Sequence, residues 1–427
     1  MLSSPVIFHI DVNSAFLSWK AVYQKREQGS MVDLREIPSA IGGDEASRHG
    51  IILAKSIPAK RYGVRTGEAI AQARRKCPCL VVVPPDFSLY VRCSAAFLDI
   101  LKEYAPKVEP FSIDEAFCDM TGTELLYGDL VAFAHKLKDE IHERLGFTVN
   151  IGVSTNKLLA KMASDFEKPD RVHTLFPEEI PEKMWPLPVD ELLFVGISAR
   201  EKLRHLGIRT IGDLAASDRR LIASHLKKHG ELIWDYANGI DDRPVVPEPS
   251  EPKYIGNSVT LSRDATDEDE IRQTLLSLTE TVAARLRADK RKASCITVQL
   301  TDHNFMNSSH QDTLPAPSNS TTELYALVLR LFHEFWTGTP IRLLGVAASR
   351  LAENAPIQSS LFDRGRSEKL SKLDAAVDQI REKFGEDAVK RACFLDSERE
   401  HMTGGLNRAK RRASLSDSMP DAYHQES

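Results

Sequence analysis

The sequence lacks the features that mark several common classes of protein. Its six cysteines are scattered and show no pair of CxxC spacings, which argues against a structural zinc site and against a disulfide framework. Its longest apolar runs, such as CLVVVPP, are far too short to span a bilayer. The N-terminal residues show neither the charged start nor the cleavage site of a signal peptide. These absences predict a protein of the reducing cytoplasm that has no membrane segment.

An excess of positive charge is also missing, because the formal net charge of the chain is −5. Any binding to phosphate groups must therefore rest on local basic patches rather than on the field of the whole molecule. The remaining composition, with 42% hydrophobic and 27% charged residues, is typical of globular proteins. Since 427 residues exceed the size of one ordinary hydrophobic core, we expect several domains.

Strand and helix patterns alternate through the first part of the chain, which predicts an α+β domain. Hydrophobic and β-branched runs predict the strands, and apolar residues at helical spacing predict the helices between them. We expect Ser14 to cap the first helix, and Ser154 or Thr155 to cap the helix in TNKLLAKMASDF. The expected strands are VIFHIDV, GIILAKS, LVVVPP and FTVNIGVS.

The pattern changes after about residue 176. It is helical with short loops up to residue 239, and residues 241–253 carry four prolines, as in an extended linker. A second α+β unit is expected from about 254 to 351, followed by one amphipathic helix. From about residue 396 the composition predicts disorder. In the second unit the expected strands are IGNSVTL, SCITVQLTD and IRLLGVAASRL, and the expected helices span 267–289 and 321–336.

Three acidic residues fall where strands end or turn. The segment VEPFSIDEAFCDMTG predicts two short strands that meet near Asp114 and Glu115, and Asp11 comes late in the first strand of the chain. Pairing of these strands would place the three carboxylates around one cavity, where they repel each other unless cations lie between them. Magnesium suits such oxygen ligands, and two ions about 3.5–4 Å apart favour displacement at phosphorus. The alternative is that Asp114 caps a turn and Glu115 is solvated.

Four motifs, in order along the chain, carry a resemblance to a known family. HIDVNSAFLSW, AKSIPAKRYGVRTGE, SIDEAFCDMTG and NIGVSTNKLLAKMASDFEKPD together resemble the Y-family, or translesion, DNA polymerases, in particular the bacterial DNA polymerase IV-like branch. The resemblance spans about residues 5 to 395. It implies a multidomain α+β fold, the right-hand polymerase. The implied parts are a palm at 1–175 with small fingers inserted at about 34–84, a thumb at 176–240, a linker at 241–253, a little finger at 254–352, a clamp-binding motif and helix at 353–395, and a disordered tail at 396–427.

The same resemblance implies an activity, which is template-directed, error-prone DNA synthesis past lesions. Asp11, Asp114 and Glu115 would be the catalytic metal ligands, helped by the carbonyl of Val12, and they would hold two Mg²⁺ ions. The primer 3′-hydroxyl would attack the α-phosphate of a deoxynucleoside triphosphate. The implied partners are primer–template DNA and deoxynucleoside triphosphates, and the protein is expected to act as a monomer.

The resemblance also places residues around the incoming nucleotide. Phe16 matches an aromatic under the sugar that excludes a 2′-hydroxyl, although spacing alone favours an ordinary core residue. Lys60, Arg61 and Lys168 match positions near the triphosphate, with a solvated surface charge as the alternative for each lysine. The sequence departs from the usual pattern here, because Ile57 stands where a tyrosine is usual and Lys60 where an arginine is usual.

Two further segments are expected to contact DNA. LLFVGISAREKLRHLGIRTIGDLAA resembles a helix–hairpin–helix, whose backbone N–H groups would meet a DNA phosphate; the alternative is a purely structural αα-hairpin. The basic run RLRADKRK would follow the DNA backbone; the alternative is that its charges only interact favourably with the dipole at the end of a helix. The residues concerned are Val195, Gly196 and Ser198 in the hairpin, with Ser198 in place of a more usual glycine, and Arg287, Lys290 and Arg291 in the basic run.

The segment NAPIQSSLFDRG resembles a clamp-binding peptide of bacterial polymerases. Leu361 and Phe362 would fill an apolar pocket on the sliding clamp, and Gln358 would hydrogen-bond at its edge. The alternative is that Leu361 and Phe362 fold back against the helix at 367–384.

Two other functions remain open on the sequence alone. IGGDEAS, residues 41–47, resembles the Gly-Gly-Asp-Glu signature of diguanylate cyclases, but Ala46 stands where those enzymes have an aromatic. The other possibility is a catalytically inactive DNA-binding or clamp-associated protein with a decayed palm. The presence of all three carboxylates and of Phe16 argues against inactivity.

Overall fold

The structure is a computed structural model that describes residues 5–43, 50–247, 251–353, 364–395 and 400–402. The described residues divide into two compact units. The first comprises 5–42 and 52–247, and the second comprises 251–402 together with the residues on either side of the first gap. Within the part of the chain that the structure describes, no helix has the length and apolarity needed to cross a bilayer.

The described chain contains strands and helices in alternation, as expected for an α+β protein. The strands are β1 Ile7–Val12, β2 Ser39–Gly42, β3 Ile52–Lys55, β4 Val81–Val83, β5 Lys107–Pro110, β6 Glu115–Asp119, β7 Val149–Ser154, β8 Val172–Thr174, β9 Tyr254–Ala265, β10 Arg291–Asp302, β11 Asn307–Ser318 and β12 Ile341–Glu353. The helices are α1 Ala15–Arg26, α2 Ile57–Arg61, α3 Ile70–Lys76, α4 Phe87–Tyr104, α5 Glu124–Tyr127, α6 Leu130–Leu145, α7 Lys157–Asp165, α8 Ile197–His205, α9 Ile211–Ala215, α10 Arg219–Ala237, α11 Glu268–Ala288, α12 Thr321–Phe335 and α13 Arg364–Phe384.

A five-stranded sheet, in the order β5-β6-β1-β7-β8, is the centre of the first unit. Strand β1 is buried along its whole length, because both of its neighbours are antiparallel strands and helices cover the sheet. The core between sheet and helices is rich in aromatic side chains, with Trp19, Tyr90 and Phe97 fully buried. A smaller sheet, β3-β2-β4, has its own apolar core with α2 and α3.

The predicted helix caps are wrong. Ser14 does precede α1, but it has left-handed backbone angles and its side chain makes no capping hydrogen bond. Helix α7 is capped by Asn156, whose Oδ1 accepts from the backbone N–H of Leu159 at 2.9 Å, and not by Ser154 or Thr155. The asparagine occupies the ordinary N-cap position, one residue before the helix, with extended backbone angles.

The end of the first unit is helical, as the sequence predicts, with α8, α9 and α10 around a separate apolar core. The second unit is a four-stranded antiparallel sheet, in the order β11-β10-β12-β9, with α11 and α12 packed into its core. Strand β11 is missing from the sequence prediction. Its side chains are largely exposed, and Pro315 and Pro317 lie within it, as edge strands allow.

The amphipathic helix expected near the C-terminus is α13, but it does not pack through its apolar stripe. Instead, among residues 369–384, whose side chains the structure describes, Asp374 and Arg381 are buried. Of the apolar stripe, Leu370 and Val377 are half-buried, and Leu373, Ile380 and Phe384 are exposed. The guanidinium of Arg381 donates to the buried carboxylate of Glu280 on α11 at 2.9 Å. Charged contacts therefore hold this helix to the second unit.

Candidate active site

Two of the predicted carboxylates face each other across neighbouring strands. Asp11 on β1 and Glu115 on β6 are direct partners in the antiparallel ladder. Asp114 lies in the turn between β5 and β6, and its carbonyl accepts from the backbone N–H of Val12 at 3.0 Å. Asp11, Val12, Asp114 and Glu115 line one cavity of about 230 Å³. The expected pairing of the Asp114 turn with the first strand is therefore confirmed.

Two lysines that follow β7 neutralise this acidic cluster. The Nζ of Lys161 on α7 lies 2.8 Å from Oε1 of Glu115 and 3.7 Å from Oδ2 of Asp11. The Nζ of Lys168 lies 2.8 Å from the same Asp11 oxygen. The family resemblance drew attention to Lys168, whereas Lys161 was missed. A signal for it existed, because Lys161 is the one charged residue in a run of small or apolar residues, 158–164, all of which are buried.

A buried histidine, His9, lies beside the Glu115 carboxylate of the acidic cluster. His9 lies two residues before Asp11 on β1, and its Nδ1 is 2.7 Å from Oγ of Ser164. Its Nε2 lies 3.6 Å from Oε2 of Glu115. Burial lowers the pKa of His9 to about 4, so the ring is neutral at pH 7. A neutral ring of fixed orientation restricts where the Glu115 carboxylate can lie.

The surroundings shift the pKa values of Asp11 and Glu115 in opposite directions. Burial raises the pKa of Asp11 to about 7, even though Lys168 opposes the effect. Burial also disfavours ionisation of Glu115, but His9 and Lys161 outweigh it and hold the pKa of that carboxyl below its ordinary value. A cation between these groups would favour the ionised form of both.

The donor set fits a hard divalent cation, because it consists of carboxylate oxygens and a nearby backbone carbonyl. Within residues 5–43, 50–247, 251–353, 364–395 and 400–402, no three His, Cys, Asp or Glu side chains converge at the spacing of a metal site. The reason is local. Asp11 and Glu115 are turned to the lysine ammonium groups, and Oδ1 of Asp114 accepts from Oγ of Ser112 at 2.6 Å.

Phe16 lines the same cavity, and its ring has a rigid support. It stacks on Tyr90 with ring centroids 4.4 Å apart and planes inclined by only 7°. Tyr90 is fully buried and belongs to the core of the large sheet. The ring of Phe16 is therefore both a packed side chain and a wall of the cavity, so the two readings of the sequence are not exclusive.

A second cavity, of about 270 Å³, lies next to the first and shares Asp11 with it. Lys60 and Lys168 line this cavity, whereas Arg61 is exposed at the end of α2 and is not one of the described lining residues. Lys55, which ends β3, was missed by the sequence analysis and lines both cavities. Burial and the charge of Lys60 lower the pKa of Lys55. The second cavity thus carries three lysines, Lys55, Lys60 and Lys168, beside the carboxylate of Asp11.

The predicted hairpin lies at the start of α8, beside a cleft of about 550 Å³. Gly196 is the N-cap residue of α8, and Ser198 is exposed in its first turn, so the first backbone N–H groups of the helix are available to an anion. Val195 is buried and anchors the loop. Lys202 and Lys227, which the sequence analysis missed, also line the cleft. Within the segment predicted as a helix–hairpin–helix, the structure contains two helices, α8 and α9.

The basic run in the second unit does not act as one surface. Arg287 is engaged within the fold, because its guanidinium bonds to the Asp378 carboxylate and donates to the carbonyl of Asn319 at 2.9 Å. It is therefore not available as the DNA contact that the sequence suggested. Arg291 pairs with Glu251 at 3.2 Å, and Lys290 is exposed after α11. The predicted clamp-binding residues Gln358, Leu361 and Phe362 lie outside the described residues.

Comparisons with known proteins agree on one family. Residues 10–165 match the impB/mucB/samB family, and residues 252–361 match its C-terminal domain. A DNA polymerase IV of Clostridium acetobutylicum is 46% identical over 92% of this chain and 99% of its own length. DNA polymerase IV 1 of Bacillus subtilis is 35% identical, covering 94% of this chain and 96% of the relative. A chimeric Y-family DNA polymerase has the same fold, with a TM-score of 0.69 at 23% identity, over 82% of this chain and all of that one.

Proposed function

Because this chain belongs to the impB/mucB/samB family, the Y-family of translesion DNA polymerases, we propose that its acidic cavity adds deoxynucleotides to a primer 3′ end. The chain is a DNA-directed DNA polymerase of the lesion-bypass type, and its catalysis depends on metal ions. The observation that carries the proposal is the meeting of Asp11, Asp114 and Glu115 in one cavity beside Phe16.

The three carboxylates and the carbonyl of Val12 would hold two Mg²⁺ ions. Bound there, the ions would supply Lewis acidity, which lowers the pKa of the primer hydroxyl and offsets charge on the triphosphate. The protein holds Asp11 and Glu115 in register through the β1–β6 pairing, so little rearrangement is needed before reaction. His9 and Lys161 are positioning residues in this proposal, because each contacts Glu115.

The neighbouring cavity offers a place for the triphosphate. Lys55, Lys60 and Lys168 surround it, and lysine binds phosphate as a point charge. Lys55 and Ile57 line the same cavity, so Lys55 would replace part of the phosphate contact that a tyrosine at residue 57 would contribute. Phe16 would lie under the sugar, where its ring leaves no room for a 2′-hydroxyl. Arg61 does not line this cavity and is left out of the proposed triphosphate contacts.

The remaining assignments concern DNA and the clamp. We assign the five-stranded sheet to the palm, the β3-β2-β4 sheet to the fingers, α8–α10 to the thumb and the second unit to the little finger. The start of α8, from Val195 to Ser198, would contact a DNA phosphate together with Lys202. Lys290 and Arg291 are the remaining candidates in the little finger. The protein would work as a cytoplasmic monomer tethered to the sliding clamp through residues 358–362.

The function is tested by primer extension with the purified full-length chain on undamaged and lesion-bearing templates. We expect template-directed addition on both, and no addition when the divalent cations are chelated. DNA binding without extension would favour the inactive binding protein instead, and formation of a cyclic dinucleotide from GTP would favour the cyclase. Replacing Leu361 and Phe362 by alanine should leave addition of one nucleotide unchanged and abolish stimulation by the clamp on a long template. Equal stimulation of both proteins would exclude the tether.

A further inference from the structure

Two cysteine thiols touch in the turn that leads from α3 to β4. The Sγ atoms of Cys77 and Cys79 are 3.6 Å apart. The backbone N–H of Leu80 donates to the carbonyl of Cys77 at 3.0 Å, which makes residues 77–80 a β-turn with Pro78 at its second position. Such a turn brings its first and third residues to the short separation that a disulfide requires.

The two thiols differ in their access to solvent. Cys77 is fully buried in the apolar core of the small sheet, whereas Cys79 is exposed. Burial, together with the neighbouring thiol of Cys79, raises the pKa of Cys77. A small oxidant in solution therefore reaches Cys79 first, and the buried thiol of Cys77 is already in contact with the Cys79 sulfur. This is the arrangement of an attacking and a resolving thiol.

We propose that Cys77 and Cys79 form a reversible oxidation site that closes to an intrachain disulfide when the protein meets a hydroperoxide. The sulfur of Cys79 attacks the peroxide O–O bond, so Cys79 becomes a sulfenic acid and the peroxide leaves as water or an alcohol. The sulfur of Cys77 then attacks the sulfenic sulfur. The S–S bond forms, the S–O bond breaks, and the oxygen leaves with the thiol proton as water.

The rest of the chain supplies comparisons for this chemistry. Cys93, Cys118 and Cys295 are buried, and burial raises the pKa of Cys93 to about 12. Cys393 is exposed like Cys79. Across the described ranges, which contain all six cysteines, the Cys77–Cys79 pair is the one thiol–thiol contact. We therefore expect oxidation of Cys393, which is exposed without a thiol in contact, to give a different product from oxidation of Cys79, which is exposed and contacts the thiol of Cys77.

The Cys77–Cys79 pair does not line the acidic cavity. It precedes a strand of the small β3-β2-β4 sheet, and that sheet also contributes to the wall of the cavity. Residues 77–80 lead directly into β4, which pairs in parallel with β2. The other neighbour of β2 is β3, which ends at Lys55. Neither cysteine is one of the described residues that line the two cavities around Asp11. The proposal therefore does not depend on the polymerase assignment.

Trypsin cleavage at Lys76 and Arg92 places both cysteines in one peptide, 77–92, which contains no other cysteine. Reduced full-length protein is treated with hydrogen peroxide, its free thiols are alkylated, and the tryptic peptides are weighed. We expect peptide 77–92 to escape alkylation and to weigh two hydrogen atoms less than the reduced, unalkylated peptide. After dithiothreitol and renewed alkylation it should carry two alkyl groups. The matched peptide with Cys393 should instead gain oxygen, without the loss of two hydrogen atoms that marks an intrachain disulfide.

Single variants separate the two roles. In Cys77→Ser we expect a sulfenic acid on Cys79 that dimedone traps, and in Cys79→Ser we expect Cys77 to stay reduced. The proposal is overturned if both thiols of peptide 77–92 are still fully alkylated once Cys393 has been oxidised. It is equally overturned if Cys79 gains two or three oxygens in the wild-type protein while Cys77 remains free.

Discussion

The ammonium of Lys161 lies 2.8 Å from the Glu115 carboxylate, with both side chains largely buried. The same nitrogen is 3.7 Å from Asp11, so one lysine offsets the repulsion between two carboxylates that the β1–β6 pairing holds together. Without divalent cations, this contact offsets part of the free-energy cost of burying the carboxylates of the acidic cavity, because isolated buried charges are costly.

Replacing Lys161 by methionine keeps the length of the side chain and removes its charge. We expect the first unit to lose about 3 kcal/mol of stability in metal-free buffer, because the variant leaves buried carboxylates without their partner. Added Mg²⁺ should recover part of the loss. Thermal unfolding with and without Mg²⁺ measures both effects, and Lys136→Met, at an exposed position on α6, is the control. Equal melting temperatures of the Lys161 variant and wild type without metal would contradict this account.

The stacking of Phe16 on Tyr90 leads to a prediction about sugar selection. In Phe16→Ala the cavity gains room under the sugar, so we expect incorporation of ribonucleotides relative to deoxynucleotides to rise roughly tenfold or more. Single-nucleotide kinetics with matched ribo- and deoxynucleoside triphosphates measure the ratio. Tyr90→Phe keeps the stacked ring and should leave the ratio unchanged. A Phe16 variant that loses both activities equally would show that the ring serves packing alone.

The cleft at the start of α8 predicts different effects for two adjacent lysines. Lys227 lines the cleft, whereas the neighbouring Lys228 is exposed elsewhere. In Lys227→Ala we expect weaker DNA binding and a slope of log affinity against log salt that is smaller by about 1, as for one lost phosphate contact. Lys228→Ala should retain the wild-type slope. Identical slopes for the two variants would remove the cleft from the DNA-binding surface.

The buried contact between Glu280 and Arg381 makes the second unit sensitive to acid. Burial alone would raise the pKa of Glu280, but His401, Arg381 and Arg391 lower it to about 2. The folded-state pKa lies below the unfolded value, so the stabilisation is complete above about pH 4.5 and is lost as the pH falls towards 2. The difference is worth about 3 kcal/mol. Unfolding midpoints measured between pH 5 and pH 2 should show this loss in wild type but not in Glu280→Gln. If the midpoints of the two proteins fall in parallel with pH, the contact does not have this role.

Several features could be predicted from the sequence because they depend on local patterns. The buried strand that contains Asp11 and the turn at Asp114 follow from runs of β-branched and apolar residues on either side of polar ones. Strand β11 escaped because an edge strand with exposed side chains has no apolar alternation to detect. Its hydrogen bonds come from β10, a relationship that local sequence does not express.

Contacts between distant residues account for the other differences. The apolar stripe of α13 suggested a packed face, but the ion pair of Arg381 with Glu280, 101 residues away, decides which side docks. Lys161 and His9 acquire their roles only when β1, β6 and α7 come together around Glu115. A single lysine or histidine in a sequence is usually a surface charge or a core residue, so spacing alone could not identify either one.

The central claim is that Asp11 and Glu115 on the paired strands β1 and β6, with Asp114 in the turn before β6, carry nucleotide addition. Its most direct test is the single-turnover rate of primer extension by Asp114→Asn across a range of Mg²⁺ concentrations. Asp119→Asn, at the other end of the same strand, is the matched control. We expect the Asp114 variant to bind primer–template DNA as wild type does but to lose at least about a thousandfold in rate at every Mg²⁺ concentration, as for loss of an essential electrostatic group. A rate within a few fold of wild type and of Asp119→Asn would contradict the account.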